Sequence, residues 1–347
     1  MILYIQTAFL GDLLLSIPSL KKLRELYPNK KIHLLCRKNQ GSLIKENHLV
    51  DEVFDSFEYT KPTMHEIRKL FSNYHYDLLV CPHESFRSLL ISRAISADKK
   101  IAYKSFLGMF VYHQMLSRPL HLPETLRQLS LLSLLNPGVQ MQMAEWVEKV
   151  PFQTLPLGTS MQMERYQNPE NRRRWRKHYG LSDQDSVVCL APGSVWPTKQ
   201  WGLAKYNELT KSLIAEGKKV ILVGSASERE MAQQIADENT QVVNYVGKTQ
   251  LIELAELIAC ADALVCNDSG AMHVGSLVGT PTISIFGPTV QSFGYQPWNP
   301  QAVVLENKQL RCRPCSSHGG KVCPIETHEC MTSIPVELVK ETVYTQL

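Results

Sequence analysis

Short apolar runs alternating with helix-length amphipathic stretches constrain this chain more than any other feature. Ile2–Gln6 reads as a strand, 12–26 as a helical stretch, and 31–36 and 53–54 as strands. Residues 64–71 read as a helix and 77–81 as the next strand. This alternation signals βαβ units and a parallel sheet. The pattern resumes with a strand at 186–191, a helix at 202–216, a strand at 219–224 and helices at 228–239 and 251–260. A strand at 263–267, a helix at 271–278 and a strand at 282–286 follow. Between the two series, 145–185 carries Pro151, Pro156, Pro169 and the turn dipeptide Asn168-Pro169. It reads as an inter-domain connection plus a leading helix. The basic run 172–178 in it is either a solvated helix face or a membrane- or acceptor-facing patch.

The chain has 347 residues, and at roughly 150 residues per domain it makes two domains. The alternation therefore predicts two αβ halves with a cleft between them. In open α/β sheets ligands sit beyond the carboxyl ends of the strands. Hydrophobic residues at 44% and charged residues at 20% exclude a disordered, collagenous or coiled-coil chain. A net charge of +4 argues against a dedicated nucleic-acid binder and is compatible with docking on an anionic membrane. No apolar run approaches the roughly 18–20 residues of a membrane span. The first six residues carry no basic leader, so a cytoplasmic protein is expected.

Three stretches can carry chemistry. Asn267-Asp268-Ser269-Gly270-Ala271-Met272-His273 joins a strand to a helix. Free N–H groups at Ser269 and Gly270, with the helix dipole, favour an anion such as a diphosphate. The plainer reading makes Asp268 an ordinary N-cap. Pro192-Gly193-Ser194 and the following Lys199 also lie just past a strand. Gly193 and Ser194 can offer donors, and Lys199 a mobile positive charge for phosphate. The alternative is a surface loop with a solvated lysine. Gly11-Asp12 follows the first strand, where Asp12 is either an N-cap or a general base for an acceptor hydroxyl. Position alone does not separate the two. There is no Gly-x-Gly-x-x-Gly after the first strand, no Walker lysine loop and no His-Glu-x-x-His helix.

Five cysteines, Cys36, Cys81, Cys189, Cys260 and Cys266, are scattered and read as small core residues. Cys312, Cys315, Cys323 and Cys330 cluster near the C-terminus, interleaved with His318 and His328. They fit a structural metal, packing thiols or a redox role, and only the first pair has the tight spacing of a zinc ribbon.

In this order, the motifs resemble glycosyltransferase family 9, the ADP-heptose:lipopolysaccharide heptosyltransferases. The resemblance rests on Gly11-Asp12 with Pro18, on Pro192-Gly193-Ser194 with Lys199-Gln200-Trp201, and on Val223-Gly224-Ser225. It continues through Gly247-Lys248-Thr249, Asn267-Asp268-Ser269-Gly270 with His273, and Gly279-Thr280-Pro281. It implies the α/β GT-B fold: two Rossmann-like αβα domains facing across a cleft, here 1–165 for the acceptor and 166–347 for the nucleotide sugar. The second would include the Cys-rich segment 312–330 and a C-terminal helix. The resemblance implies an inverting transfer of heptose from ADP-heptose to the inner core of a lipopolysaccharide precursor, with no metal and no cofactor. It makes Asp12 the base. It makes Gly193, Ser194, Lys199, Asp268, Ser269, Gly270 and His273 donor-binding residues, with Glu228 at the ribose and Thr249 at the adenine. The implied partners are the nucleotide-sugar donor, a Kdo-lipid A type glycolipid acceptor and, transiently, the cytoplasmic face of the inner membrane. Nucleic acid is not among them. Two rivals remain. One is a GT-B transferase or epimerase acting on another nucleotide sugar. The other is a non-catalytic metal- or thiol-based interaction module.

Overall fold

The computed structural model describes residues 1–55, 63–149 and 162–347. The chain folds as two compact units, Met1–Leu155 and Pro156–Leu347.

The first unit holds β1 (Ile2–Gln6), β2 (Ile32–Cys36), β3 (Glu52–Phe54), β4 (Tyr76–Cys81), β5 (Ala97–Tyr103) and β6 (Gln114–Leu116). They form one sheet in the order β3-β2-β1-β4-β5-β6. Every pairing is parallel. The five residues of β1 are all buried, as are those of β2. That is the continuous apolar run expected of a strand covered by helices on both faces.

The second unit repeats the plan with β7 (Val187–Ala191), β8 (Lys219–Leu222), β9 (Val243–Asn244), β10 (Ala263–Asn267), β11 (Thr282–Phe286) and β12 (Val303–Glu306). Its order is β12-β11-β10-β7-β8-β9, again all parallel. Read from β9 inward, this is the same order as in the first unit. In each sheet the order reverses beside the first strand: between β1 and β4, and between β7 and β10. Such a switch point leaves a crevice at the carboxyl ends of the strands.

The structure corrects several sequence expectations. The stretch 12–26 is two helices, Leu10–Leu14 and Ile17–Leu26, with Pro18 in the first turn of the second. A proline lacks the N–H that a continuous helix would need there. The basic run lies in the helix Pro169–His178, but it is not one free face. Arg172 and Arg176 bind the two Asp262 carboxylate oxygens, at 2.6 and 3.0 Å, and carbonyls ending the helix Leu251–Cys260. Only Arg173, Arg174, Lys177 and His178 of the run are exposed. All five scattered cysteines are buried and unpaired, as expected of core residues.

Candidate active site

The switch point of the second unit is built on Asn267, the last residue of β10. Its side-chain Nδ2 donates to the carbonyls of Pro192 and Gly193, at 2.8 and 3.1 Å. Its Oδ1 accepts the Trp201 N–H at 3.0 Å. One fully buried amide thus fixes both ends of the loop after β7. Trp201 is itself buried and donates Nε1–H to the Ile334 carbonyl. The loop between them is therefore held, and Lys199 sits in its short 3-10 turn, Pro197–Lys199.

The sequence suggests a mobile or a solvated Lys199; the structure shows neither. Lys199 is only 8% exposed, and its Nζ donates to Asp268 Oδ2 at 2.6 Å. The same oxygen accepts the Thr289 hydroxyl at 2.6 Å. Asp268 is correspondingly not an N-cap. The cap of the helix Gly270–Val278 is Ser269, which makes no side-chain capping bond. This leaves the first-turn N–H groups without a side-chain cap, the arrangement that receives anions. His273, in the first turns of that helix, is buried, with no partner for Nδ1. Burial and the nearby Lys199 charge hold its pKa down at about 4, against the pull of Asp268. It is a neutral imidazole at neutral pH.

Beside this pair, Glu228 lies between the ends of β7 and β8. Its Oε2 accepts the Ser225 N–H at 2.6 Å, and burial raises its pKa. A Cβ on Gly193 would collide with its carboxyl group. Gly193 is thus required by close approach, and Glu228 is brought to the loop that carries Lys199. Ser194 is buried in that loop, its carbonyl accepting from Gln200 Nε2 at 3.0 Å. Thr249 is half-buried in the loop after β9, the outermost strand on that side.

The Cys-rich segment closes over the same loop. Thr198 donates both its N–H and its hydroxyl to the Gly320 carbonyl, at 3.2 and 2.9 Å. His328 Nε2 donates to the Thr198 carbonyl at 2.7 Å. At Gly319, with φ +94°, a Cβ would meet the Lys199 stem at 3.2 Å. Arg313 holds the Thr289 carbonyl at 2.7 Å and the Glu306 carboxylate at 2.8 Å. The segment therefore supports both partners of the Lys199–Asp268 pair, a role no sequence pattern announced. Its four cysteines are free thiols. Burial and the neighbouring thiols push Cys330 up to about 11. At Cys323 burial acts upward too, but four backbone N–H groups from 325–328 outweigh it and lower the thiol's pKa. Among the described residues, no group of three or more His, Cys, Asp or Glu side chains is arranged to hold a metal.

The first unit places Asp12 at its own switch point. Asp12 is not the N-cap: Phe9 is, and Asp12 is the third residue of the helix Leu10–Leu14. Its carboxylate accepts backbone N–H groups of Phe9 and of Asp12 itself. Burial, then the nearby Glu124 charge, outweighs those bonds and Arg118 and pushes its pKa up to about 6. Its carbonyl accepts from Gln128 Nε2 at 3.0 Å. Gln128 is buried and bound in turn by Tyr4 and Gln6 of β1, so the sheet fixes the helix start. Past the end of β4, His83 Nδ1 lies 2.9 Å from the Thr7 hydroxyl and 3.1 Å from that of Ser88. Burial and the charges of Arg37, Arg118 and Arg87 hold its pKa down at about 4. The sequence names Asn267 only as the start of its strand-to-helix motif, without its role of fixing the loop, and assigns no role to His83, Gln128 or Thr289. Of these three, only His83 had a local signal, since it follows a strand at a carboxyl end.

One unit thus carries a half-buried carboxyl of raised pKa, and the other a buried lysine beside an uncapped helix start. A family model described as glycosyltransferase family 9 (heptosyltransferase) matches residues 64–325. The chain belongs to this family. The match takes in every candidate residue of the second unit and begins after Asp12. Lipooligosaccharide heptosyltransferase 2 of Haemophilus influenzae is 23% identical over 98% of this chain and 97% of its own length. Among solved structures, a family 9 glycosyl transferase from Veillonella parvula gives a TM-score of 0.80, with 20% identity. It is covered over 96% of its length, and this chain over 99%. Escherichia coli ADP-heptose lps heptosyltransferase II gives 0.78 with 22% identity, covering 99% of this chain and 98% of that one. The fold is the α/β, GT-B type expected from the motifs, and the chain is a glycosyltransferase.

Proposed function

We propose that this family 9 enzyme moves a heptose from ADP-heptose to the inner core of a lipopolysaccharide precursor, inverting the anomeric centre. The observation that carries the reading is the buried Lys199–Asp268 pair, set beside the uncapped start of the helix Gly270–Val278. The names of the relatives and of the E. coli structure support heptose and ADP as the transferred group and leaving group. In this reaction Asp12 takes the proton of an acceptor hydroxyl as its oxygen attacks the anomeric carbon. A carboxyl of pKa about 6 is ionised at neutral pH yet more basic than an ordinary aspartate. The attack comes from the face opposite the diphosphate, so the configuration inverts. Lys199 and the free N–H groups at Ser269 and Gly270 meet the charge growing on the departing ADP. Positive charge for the diphosphate comes from this lysine and helix, and no divalent metal takes part. Glu228 and Thr249 complete the donor side at ribose and adenine, and His273 stays a neutral imidazole near Asp268 and Lys199.

The first unit binds the acceptor, a glycolipid of the Kdo-lipid A type. Among the described residues no helix is long and apolar enough to cross a membrane. In this proposal the enzyme meets its acceptor as a peripheral protein on the inner membrane's cytoplasmic face. The test is a donor screen with a truncated core glycolipid, read by mass spectrometry. A product heavier by one heptose, formed from ADP-heptose and undiminished by EDTA, supports the proposal. Transfer from a different nucleotide sugar, or none from ADP-heptose, refutes it.

A further inference from the structure

The turn between β5 and β6 exposes apolar surface that the reaction does not use. Phe106 is 79% exposed, Phe110 73%, Met109 56% and Leu107 47%. The turn is not loose. Leu107–Phe110 is a 3-10 turn, and Gly108 at its centre is buried. The Gly108 N–H donates to the Ser105 carbonyl at 3.1 Å, and its own carbonyl accepts the Tyr112 N–H at 2.8 Å. The turn's backbone is held by its own hydrogen bonds while four large apolar side chains are exposed. Phe86, 65% exposed, opens the helix that follows β4, the neighbouring parallel strand. Its loop and the start of this turn therefore leave the carboxyl ends of neighbouring strands, the edge that carries Asp12 after β1. Exposed Lys104 lies two residues before Phe106, and half-buried Arg87 follows Phe86 in sequence, so both segments carry positive charge.

We propose that this turn is a wedge that docks the first unit on an anionic bilayer. Soluble proteins rarely leave contiguous large apolar patches in water. Aromatic and long aliphatic groups rimmed by cations suit the headgroup–acyl boundary, where rings and aliphatic chains bury while ammonium and guanidinium groups meet lipid phosphates. Each such cation near an anionic surface adds roughly fivefold in affinity at moderate salt. Placed on the edge that carries Asp12, the wedge brings the base to the depth at which a glycolipid's sugars leave the membrane. The role in catalysis rests on the glycolipid acceptor proposed above; the docking itself does not.

The experiment is flotation of the full-length protein with vesicles of phosphatidylethanolamine and phosphatidylglycerol, compared with phosphatidylcholine alone. Wild type should float with the anionic vesicles. The double substitution Phe106→Ser with Phe110→Ser should weaken binding roughly tenfold or more, since two aromatic side chains lose their burial. Raising salt should remove only the charge-dependent part. Independently, Phe106→Trp should show a blue-shifted emission when vesicles are added. Both substituted side chains are exposed, so the melting temperature and transfer to a soluble, delipidated acceptor should stay at the wild-type level. Equal flotation of the double variant, or an unshifted tryptophan, overturns the wedge. So does a double variant that floats normally but loses self-association, which would make this face a contact between copies. If wild type floats but transfers no heptose in either acceptor format, the proposed function fails and the wedge stands.

Discussion

At the switch point of β7 and β10, a lysine and an aspartate are buried against each other 2.6 Å apart. At the switch point of β1 and β4, a carboxyl is held by backbone N–H groups and crowded by a second carboxylate. The strand order around the two positions is the same. The first arrangement keeps its charges fixed: each partner satisfies the other, and Thr289 takes a further lone pair. The second makes its charge costly, so that a proton binds more readily there. One topology thus supplies a buried, satisfied ion pair at one switch point and a carboxyl of raised proton affinity at the other. The difference lies in what surrounds the carboxylate, not in where the fold puts it.

Removing the base breaks this comparison most severely. Asp12→Asn should lower the transfer rate roughly 10²–10⁴-fold, because an amide cannot take the proton. Its Oδ1 can still accept the Phe9 N–H, so stability should stay within about 1 kcal/mol by thermal melting.

The buried pair should respond in two measurements. Asp268→Asn leaves the Lys199 ammonium buried without its counter-charge and should cost about 3–5 kcal/mol in denaturant unfolding. Lys199→Met removes a charge-assisted contact to phosphate and should weaken ADP-heptose binding about 10- to 150-fold by calorimetry.

The pH profile sharpens the contrast. Asp12 must be ionised to act, so kcat/KM should rise with pH and level off above about 6. At pH 5 roughly a tenth of it is ionised, which predicts an approximately tenfold lower rate than at pH 7. An acid limb near the ordinary aspartate value would mean that burial does not act on this group.

The smallest effect concerns the Cys-rich support. His328→Ala loses one hydrogen bond to the Thr198 carbonyl, worth about 1 kcal/mol. If that bond positions Lys199, KM for the donor should rise roughly fivefold with kcat unchanged. A fall in melting temperature with unchanged KM would make His328 merely structural.

The legible parts of this molecule are those whose cause is local. Strands β1, β10 and β11 were read with their observed bounds, because a fully buried five-residue apolar run has one sensible conformation in an αβ chain. Strand β5 was missed: Asp98, Lys99 and Lys100 break its apolar pattern. Yet Lys100 is buried, satisfied by the Ser92 carbonyl at 2.7 Å. The two-residue β9 carries too few side chains to show a period. At the sites, Lys199 and Asp268 were each picked out, but as a mobile charge and a possible cap. Their partnership spans 69 positions and leaves no mark on either motif. Asp12 was found by its place after β1. Its raised pKa comes from burial and then from Glu124, more than a hundred residues away. The break before Pro18 was written in the sequence, and the helical reading passed over it.

In the proposed mechanism the carboxylate of the first unit moves the proton while the lysine of the second holds the donor. The ADP-heptose dissociation constant of Asp12→Asn tests it most directly, measured by calorimetry on the preparation whose transfer rate is measured. The constant should stay within about twofold of wild type alongside the loss of rate. A donor affinity that falls in step with the rate would place Asp12 in donor binding and contradict the division of labour.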